Sequence, residues 1–257
     1  MNAAAGSTSR RWHASGLVRS LVLIAALVAI WQGLYWWVGD VALASPLATL
    51  AYTVKLFASD SFDTHVIDTL RAFAIAYALS VVMGLAVGFW LGFDRLSGDT
   101  LEPMIVSIYA VPKLTLYPIL LLAFGLGLSA KVAFGVLHGV IPIILFTVSA
   151  VHNTKPILIK TGRVLNLSRW QMVRWILFPA AVPEIFTGLR VGFALTLIGS
   201  LLAEMFASQR GLGYLLMNGI GLHNVELIMS VTLVIVVFAF AVSSLLLYVD
   251  QRLHRRA

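Results

Sequence analysis

The stretch that decides the fold is residues 226–249, which read ELIMSVTLVIVVFAFAVSSLLLYV. Glu226 is its one charged residue and stands at its start. A helix needs about 20 apolar residues to cross a hydrocarbon core about 30 Å thick, and this stretch is long enough. Five more apolar blocks cover approximately residues 17–38, 69–91, 103–124, 131–151 and 187–206. The sequence therefore predicts an all-α integral membrane protein with six transmembrane helices.

The overall composition agrees with a membrane protein and excludes several other classes. Hydrophobic residues make up 60% of the chain and charged residues 11%, whereas soluble proteins carry roughly 25% charged residues. The net charge of +7 does not indicate nucleic-acid binding, because the basic residues lie at the chain ends and between the apolar blocks, where orientation signals belong. The chain has no cysteine, which excludes disulfides and thiolate metal sites.

The distribution of Lys and Arg predicts the orientation in the membrane. One set of connections holds twelve such residues: Arg10, Arg11, Arg19, Arg95, Lys155, Lys160, Arg163, Arg169, Arg174, Arg252, Arg255 and Arg256. The other set holds three: Lys55, Lys131 and Arg210. Since basic loops stay in the cytoplasm, both termini and the loop of residues 152–183 are expected there. The predicted organisation is a basic tail at 1–16, a transmembrane domain at 17–250 and a basic tail at 251–257.

The first apolar block also has a basic start, as a signal peptide does. It is longer than the usual 7–15-residue apolar region of a signal peptide. We therefore expect it to remain as a membrane helix, with cleavage as the alternative.

Small residues recur at four-residue steps on three spans. The second span has Gly84, Gly88 and Gly92, and the fourth has Gly135 and Gly139. Such spacing lets helices approach closely, and we expect packing within one subunit, with a subunit interface as the alternative. The fifth span carries a partly polar stripe that either lines a pathway or packs against a helix: Gly188, Gly192, Thr196 and Ser200.

Ionisable side chains inside the predicted spans need a partner or water. Asp68 and Arg71 lie three residues apart and are expected to pair. Lys113 lies between Pro112 and Pro118, which are expected to break the third helix. It either faces an aqueous path and attracts an anion or reaches back to the membrane surface. Glu204 is expected to cap or pair, with a role in shaping the solute site as the alternative. The candidate path residues are Lys113, Thr196, Ser200 and Glu204.

The loop of residues 152–183 is longer than most connections, which have about 4–6 residues, and its sequence predicts local structure. Asn153 or Thr154 can cap a helix that accepts Pro156 in its first turn. Asn166 is expected to end that helix, since asparagine tolerates the left-handed conformation that follows a helix C-terminus.

A second short helix is predicted directly after this turn. Ser168 and Gln171 have capping-box spacing, and Pro179 is expected to close the helix that they start. The two helices form a projecting helix–turn–helix. Its exposed apolar side chains, such as Trp170, favour docking of a partner.

This loop resembles the EAA loop of ABC importer permeases. The likeness rests on residues 160–162 (KTG), 166–170 (NLSRW) and 177–179 (LFP). The nitrate/taurine/sulfonate branch is similar in further segments, from about Asp63 to the C-terminus: 112–118 (PKLTLYP), 124–127 (FGLG), 187–190 (TGLR), 203–205 (AEM) and 210–213 (RGLG). The resemblance implies that the ATPase-coupling residues are Lys160, Thr161, Gly162, Leu165, Asn166, Ser168, Trp170 and Pro179.

Two positions depart from the family pattern. Lys160 stands where the family usually has glutamate, which inverts a charge at the expected ATPase contact and leaves open pairing with a second, different permease. Asn166 stands where the family has glycine, and this change is mild because both residues tolerate a left-handed turn.

The resemblance implies the fold of a type I ABC importer permease with six spans and both termini in the cytoplasm. It also implies a transport subunit of the bacterial inner membrane that pairs with a second permease copy, identical or different. Cytoplasmic ABC ATPase subunits would hold ATP and Mg, and an extracytoplasmic solute-binding protein would deliver the solute. The expected solute is a small anion such as sulfonate, taurine or nitrate, or a pyrimidine-type precursor.

The sequence contains no motif that indicates an enzyme. It lacks the G-x-x-x-x-G-K-[ST] phosphate loop, so ATP is expected on the partner only, and it lacks H-E-x-x-H and G-x-S-x-G. We therefore expect no catalytic residue, metal site or cofactor on this chain. The main alternative is an ion-coupled secondary transporter, which would favour paired carboxylates in broken helices and internal repeats. A structural or assembly membrane protein is a third interpretation.

Overall fold

The computed structural model describes residues 6–254, in which the regular structure is helical. Eleven α-helices follow one another in this range: α1 (Gly6–Val38), α2 (Pro46–Phe57), α3 (Asp60–Phe93), α4 (Arg95–Ala110), α5 (Tyr117–Phe124), α6 (Leu128–His152), α7 (Pro156–Val164), α8 (Arg169–Met172), α9 (Phe178–Ala207), α10 (Leu212–Gly221) and α11 (Val225–His254). A 3₁₀ turn, Lys113–Leu116, precedes α5, and a π-helical turn, Val173–Leu177, joins α8 to α9.

Five helical segments of the described chain are long and apolar enough to cross a membrane: Val18–Val38, Asp60–Phe93, Leu128–His152, Trp170–Phe206 and Val225–Arg252. The predicted third span is instead a bent pair, in which Arg95–Ala110 and Lys113–Phe124 meet at 87°. The predicted break at Pro112 is therefore confirmed. Pro118 does not interrupt a helix but lies in the first turn of α5, where its missing N–H costs nothing.

The predicted terminal tails are only partly within the described residues. Residues 1–5 and 255–257 lie outside them. Residues 6–16 were predicted as a tail, yet their backbone continues α1 to Gly6. A helix that is already nucleated gains one hydrogen bond for each residue it adds, and no proline stands before Leu17 to stop it.

The core forms where α6 lies between α3 and α9. A Cβ on Gly84 of α3 would lie 2.6 Å from Ile143 Cγ2, and one on Gly88 would lie 2.5 Å from Thr147 Cβ. From the other side, a Cβ on Gly192 of α9 would lie 2.6 Å from Ile143 Cγ1. These glycines therefore let three helix backbones approach closely, which confirms the predicted packing within one subunit.

Pro179 does not end a helix, so this prediction is wrong. The chain runs from α8 through the π turn into α9, and the Phe178 N–H donates to the Val173 carbonyl. A proline ring inside an α-helix clashes with the carbonyl four residues before it. The wider π turn directly before Pro179 gives the ring room, because Pro179 then lies in the first turn of α9. The fifth span consequently begins far earlier than the predicted residue 187.

Candidate functional site

The turn between α7 and α8 has the conformation that the sequence predicted. Asn166 has a φ of 50°. Its N–H donates to the Arg163 carbonyl at 3.0 Å, and the Leu167 N–H donates to the Gly162 carbonyl at 3.0 Å. This is the Schellman arrangement, which satisfies the last carbonyls of a helix. Asn166 thus ends α7 and sets the direction in which α8 leaves.

The start of α7 differs from the prediction. Its N-cap is Lys155, which makes no side-chain cap bond, and Pro156 occupies the first turn as expected. Capping by Asn153 or Thr154 was wrong, because both side chains bond back to α6. The Thr154 hydroxyl donates to the Ala150 carbonyl at 3.3 Å.

The start of α8 is the predicted capping box. The Ser168 N–H donates to Gln171 Oε1 at 2.9 Å, and the Gln171 N–H donates to Ser168 Oγ at 3.3 Å. The two helices meet at Gly162, where a Cβ would lie 2.5 Å from Met172 Cε. The turn and this close contact together fix the angle between α7 and α8.

This helix–turn–helix presents apolar side chains to its surroundings. Val164 is 80% exposed, Leu165 64% and Trp170 70%, and the neighbouring Lys160 and Thr161 are exposed as well. We call these five side chains the loop surface. Contiguous exposed apolar side chains rimmed by polar ones mark interaction sites in proteins, so the loop surface is suited to hold a partner.

A cluster of polar side chains ties together the two ends of the loop. The Ser149 hydroxyl donates to Glu184 Oε1 at 2.5 Å, and Asn153 Nδ2 donates to Ser149 Oγ at 2.9 Å. Ser149 lies near the end of α6 and Glu184 lies in the early turns of α9. These hydrogen bonds therefore join the two core helices that flank the loop.

A buried ion network lies at the opposite end of the bundle, which is predicted to be extracytoplasmic. Lys131 is 3% exposed and Glu204 is 0% exposed. Lys131 Nζ pairs with Asp68 and lies 3.5 Å from Glu204 Oε1. Thr69 and the Gly213 N–H both donate to Glu204 Oε2, at 2.8 and 3.0 Å. We call Asp68, Lys131 and Glu204 the outer ion network; it joins α3, α6 and α9.

The predicted pair between Asp68 and Arg71 is not formed, since Asp68 pairs with Lys131 instead. An ammonium group that is removed from water is costly unless it is paired, so the buried Lys131 requires this carboxylate more than the exposed Arg71 does. For Glu204, the structure places the carboxylate in the pairing and capping role.

The turn between α9 and α10 is held against this network. Lys131 also donates to the Arg210 carbonyl at 2.8 Å, and the Gly211 N–H donates to His65 Nδ1 at 3.1 Å. Gly211 has a φ of 118°, and a Cβ there would lie 2.2 Å from Glu204 Cδ, so the turn requires glycine. A cavity of about 600 Å³ beside it is lined by Asp68, Leu126, Gly127, Leu128, Lys131, Ser208, Gln209 and Arg210.

Thr196 and Ser200 are fully buried where α9 crosses α6. A Cβ on Gly139 would lie 1.8 Å from Thr196 Oγ1, and one on Gly135 would lie 2.6 Å from Ser200 Oγ. Neither hydroxyl has a hydrogen-bond partner among the described residues. Of the two alternatives that the sequence left open, this arrangement favours packing over lining a pathway.

Lys113 lies in the 3₁₀ turn at the break of the third span. Its Nζ stands 4.2 Å from the centroid of the Tyr109 ring, which is a cation–π contact. Among the described residues it takes part in no salt bridge. Lys113 is therefore not a member of the outer ion network, and its role in a solute path stays a prediction.

A third polar cluster ties the last turns of α11 to α9. Arg190 Nη1 lies 3.5 Å from Asp250 Oδ2, and the Thr187 hydroxyl donates to Asp250 Oδ1 at 3.2 Å. Asp250 is 6% exposed, so its carboxylate is neutralised in place. The sequence marked residues 187–190 as a motif but gave no partner for Arg190.

A family of known transport proteins matches more than half of this chain. The family model described as the inner membrane component of binding-protein-dependent transport systems matches residues 80–257. The chain belongs to this family. The match begins within α3 and covers everything that follows, including α7, α8 and α9.

The permease is similar over most of its length to three curated proteins. It shares 27% identity with the putative aliphatic sulfonates transport permease SsuC of Bacillus subtilis, over 79% of this chain and 74% of that protein. The nitrate import permease NrtB of Synechocystis is 29% identical, over 86% and 82%. The taurine transport system permease TauC of Escherichia coli is 26% identical, over 95% and 91%. The permease is thus of the nitrate/taurine/sulfonate group of ABC importer permeases, as the sequence motifs predicted.

Solved transporters have the same fold. A chain of the MetNI methionine ABC transporter in an inward-facing conformation matches with a TM-score of 0.63 and 20% identity, over 75% of this permease and 94% of that chain. A chain of an amino acid ABC transporter crystallised with histidines matches with a TM-score of 0.59 and 17% identity, over 83% and 99%. The predicted all-helical fold of a type I ABC importer permease is confirmed.

Membership of this family makes the permease a multi-pass membrane subunit of a transport system. Family membership is consistent with a transport subunit rather than with an enzyme. It does not support the interpretation as an ion-coupled secondary transporter.

Several polar residues of the permease were missed or misassigned from the sequence. Lys131 was counted as an external loop residue, and Glu184, Arg190 and Asp250 were given no role. The available signal was a charged residue inside or beside an apolar segment, since such a residue requires a partner. The sequence did not show which partner each of them meets.

Proposed function

We propose that this permease is the membrane subunit of an ATP-driven importer that moves a small anion, such as a sulfonate, taurine or nitrate, or a pyrimidine-type precursor, across the bacterial inner membrane. A separate ABC ATPase binds ATP and Mg and sits on the loop surface. An extracytoplasmic binding protein delivers the solute, and a second permease copy completes the path. The permease itself performs gating and transmission without covalent chemistry.

The observation that carries this proposal is the exposed apolar loop surface on a rigid support. Water alone disfavours Val164, Leu165 and Trp170 on a projecting loop. The Schellman turn and the capping box nevertheless hold these side chains in place. The hydrogen bonds of Glu184 connect this platform to the core helices, so that closure of an ATPase dimer can be passed to the spans.

Cross-linking from the loop tests the ATPase contact directly. The chain has no cysteine, so single cysteines at exposed positions 160, 165 and 170 can be labelled with benzophenone maleimide in membranes that contain the whole transporter. Position 162 is left out, because its Cβ would lie 2.5 Å from Met172. We expect at least one position to cross-link to the ATPase after irradiation, with a yield that changes when ATP is added.

Leu165→Asp is the matching functional test. Leu165 is 64% exposed in this chain, so the change should leave the fold intact, yet it would bury an unpaired charge in the contact, at a cost of about 3–5 kcal/mol. ATPase retention and uptake should both fall. Leu96→Asp, at a 79% exposed leucine of α4, is the control and should retain both. Absence of every cross-link in an active complex, together with normal uptake by Leu165→Asp, would disprove the coupling role.

A further inference from the structure

The end of the bundle that is predicted to be cytoplasmic has a cluster of aromatic side chains on its outside. The Phe89 ring of α3 stacks on Phe93 with centroids 5.6 Å apart, and it lies 6.1 Å from the Phe178 ring of α9. Phe93 and Phe178 are both exposed. They belong to segments long and apolar enough to cross a membrane, Asp60–Phe93 and Trp170–Phe206. The three rings therefore form one apolar surface near the ends of two spans.

The next turn towards the cytoplasm adds an indole ring and a positive charge. Trp175 precedes Phe178 by three residues on a helix that continues from the π turn into α9, and it is exposed as well. Residues three apart are neighbours on a helix surface, so Trp175 extends the apolar surface. The Arg174 guanidinium lies 5.6 Å from the centroid of the Trp175 ring, which is a cation–π contact. We call Phe93, Arg174, Trp175 and Phe178 the inner rim.

The charges of this part of the chain favour an anionic occupant of the inner rim. Residues 154–183 contain five basic residues and no acidic one. Arg174 forms no salt bridge among the described residues, so no carboxylate there neutralises it. Clusters of four to eight Lys and Arg beside the cytoplasmic end of a span are typical of anionic-lipid binding. Tryptophan is enriched at the level of the lipid headgroups, which agrees with the position of Trp175.

A phospholipid fits the inner rim better than a soluble protein does. The rim places a cation directly beside apolar rings that lie within two apolar spans. A soluble partner can reach Arg174, but Phe93 and Phe178 then remain at the depth of the hydrocarbon. A phospholipid carries its phosphate and its acyl chains in one molecule, in the order in which the rim presents guanidinium, indole and phenyl rings.

We propose that the inner rim binds an anionic phospholipid of the cytoplasmic leaflet. Arg174 pairs with the headgroup phosphate, Trp175 lies beside the headgroup, and an acyl chain lies along Phe178 and Phe93. The bound lipid contacts the π turn that connects α8 to α9. The site is therefore placed at the junction between the projecting loop and the fifth span, and it goes beyond the transport role proposed above.

Lipid-selective quenching tests this site on the full-length permease. Trp90→Cys supplies one thiol in a chain that has no cysteine, at an exposed position next to Phe89. The thiol is labelled with a dansyl group, and the purified permease is placed in phosphatidylcholine nanodiscs. These contain the same small fraction of either phosphatidylglycerol or phosphatidylcholine with a doxyl quencher on one acyl chain. One lysine or arginine near an anionic lipid should give phosphatidylglycerol an about fivefold larger binding constant.

Matched variants connect this preference to Arg174. Arg174 is exposed, so its replacement should leave the fold intact. Arg174→Gln should reduce the ratio of the two binding constants to about one, whereas Arg174→Lys should keep it above one, because the charge is retained. Lys55→Gln removes the same charge from an exposed site at the opposite end of the bundle and should leave the ratio unchanged. A dansyl group on Leu122→Cys, at an exposed leucine of α5, should report a ratio near one.

Three results would overturn the proposal. Equal quenching by the two lipids at Trp90→Cys would leave an aromatic surface without lipid selectivity. A ratio that Arg174→Gln does not change, or that Leu122→Cys reports equally, would show a general attraction of anionic lipid to a basic protein. Absence of quenching by both lipids would show that a protein, such as a second permease copy, covers the rim. The ATPase is not needed here, so failure of the lipid site leaves the loop-surface test of the proposed function unaffected.

Discussion

Replacing Lys131 with methionine removes the cation of the outer ion network and leaves two carboxylates behind. The Asp68 side chain is 29% exposed and can recover part of its hydration, whereas Glu204 has no exposed surface. The penalty therefore falls mainly on Glu204. Breaking a buried ion pair by removing one partner costs about 3–5 kcal/mol, and we expect Lys131→Met to lower the free energy of unfolding by that amount.

A second substitution separates the charge effect from lost packing. Glu204→Gln keeps the shape of the side chain and an oxygen that can accept from Thr69 or the Gly213 N–H, which now lie 2.8 and 3.0 Å from Oε2. Adding it to Lys131→Met removes the unpaired charge. The double variant should therefore be more stable than Lys131→Met alone, with a coupling free energy of about 1–3 kcal/mol.

The assay is equilibrium unfolding of the purified permease in mixed detergent micelles, in which SDS is added and tryptophan fluorescence is followed. The chain has seven tryptophans, so no label is needed. Lys55→Met, at an exposed lysine, is the control and should unfold with the wild-type midpoint. The reasoning fails if Lys131→Met is as stable as the wild type, or if Glu204→Gln lowers the stability of Lys131→Met further.

Three more predictions follow from local features of the structure. Gly139→Ala would place a Cβ 1.8 Å from Thr196 Oγ1 and should destabilise the permease by about 1–3 kcal/mol. At Gly33 a Cβ would meet nothing within 4 Å, so Gly33→Ala should stabilise the permease by about 0.5–1 kcal/mol. Both variants are measured in the same unfolding assay. Asn166→Gly should keep the ATPase bound during purification, and Asn166→Pro should lose it, because proline cannot adopt the φ of 50° found there. Reporter fusions at residue 160 and at the C-terminus should both be active in the cytoplasm; an external signal at either would contradict the orientation taken from the Lys/Arg distribution.

Features that depend on residues close together in the chain were predictable from the sequence. The apolar blocks gave the spans, since the length of apolar sequence alone determines whether a helix can cross a bilayer. Pro112 marked the break of the third span. Asn166 and the Ser168–Gln171 pair marked the turn of the loop, because their hydrogen bonds join groups no more than five residues apart.

Two predictions made from neighbouring residues were wrong because the backbone adopts a different hydrogen-bonding pattern there. Pro179 was expected to end a helix, but the π turn before it accommodates the ring and the helix continues. Asn153 and Thr154 were expected to cap α7, but the end of α6 already engages their side chains. In each of these cases more than one hydrogen-bonding pattern was compatible with the sequence. For Asn153 and Thr154, the end of α6 supplied the partners that decided between them.

The partners of the buried charges were determined by the tertiary structure alone. Asp68 had Arg71 within reach on its own helix, yet it pairs with Lys131, 63 residues further along. Lys131 meets Glu204 because Gly135 and Gly139 let α9 lie close against α6. The sequence determined that this chain crosses a membrane and projects a structured loop, since both depend on local patterns. Only the packing of α3, α6 and α9 decided which charges are buried together, because burial and pairing depend on which helix faces meet.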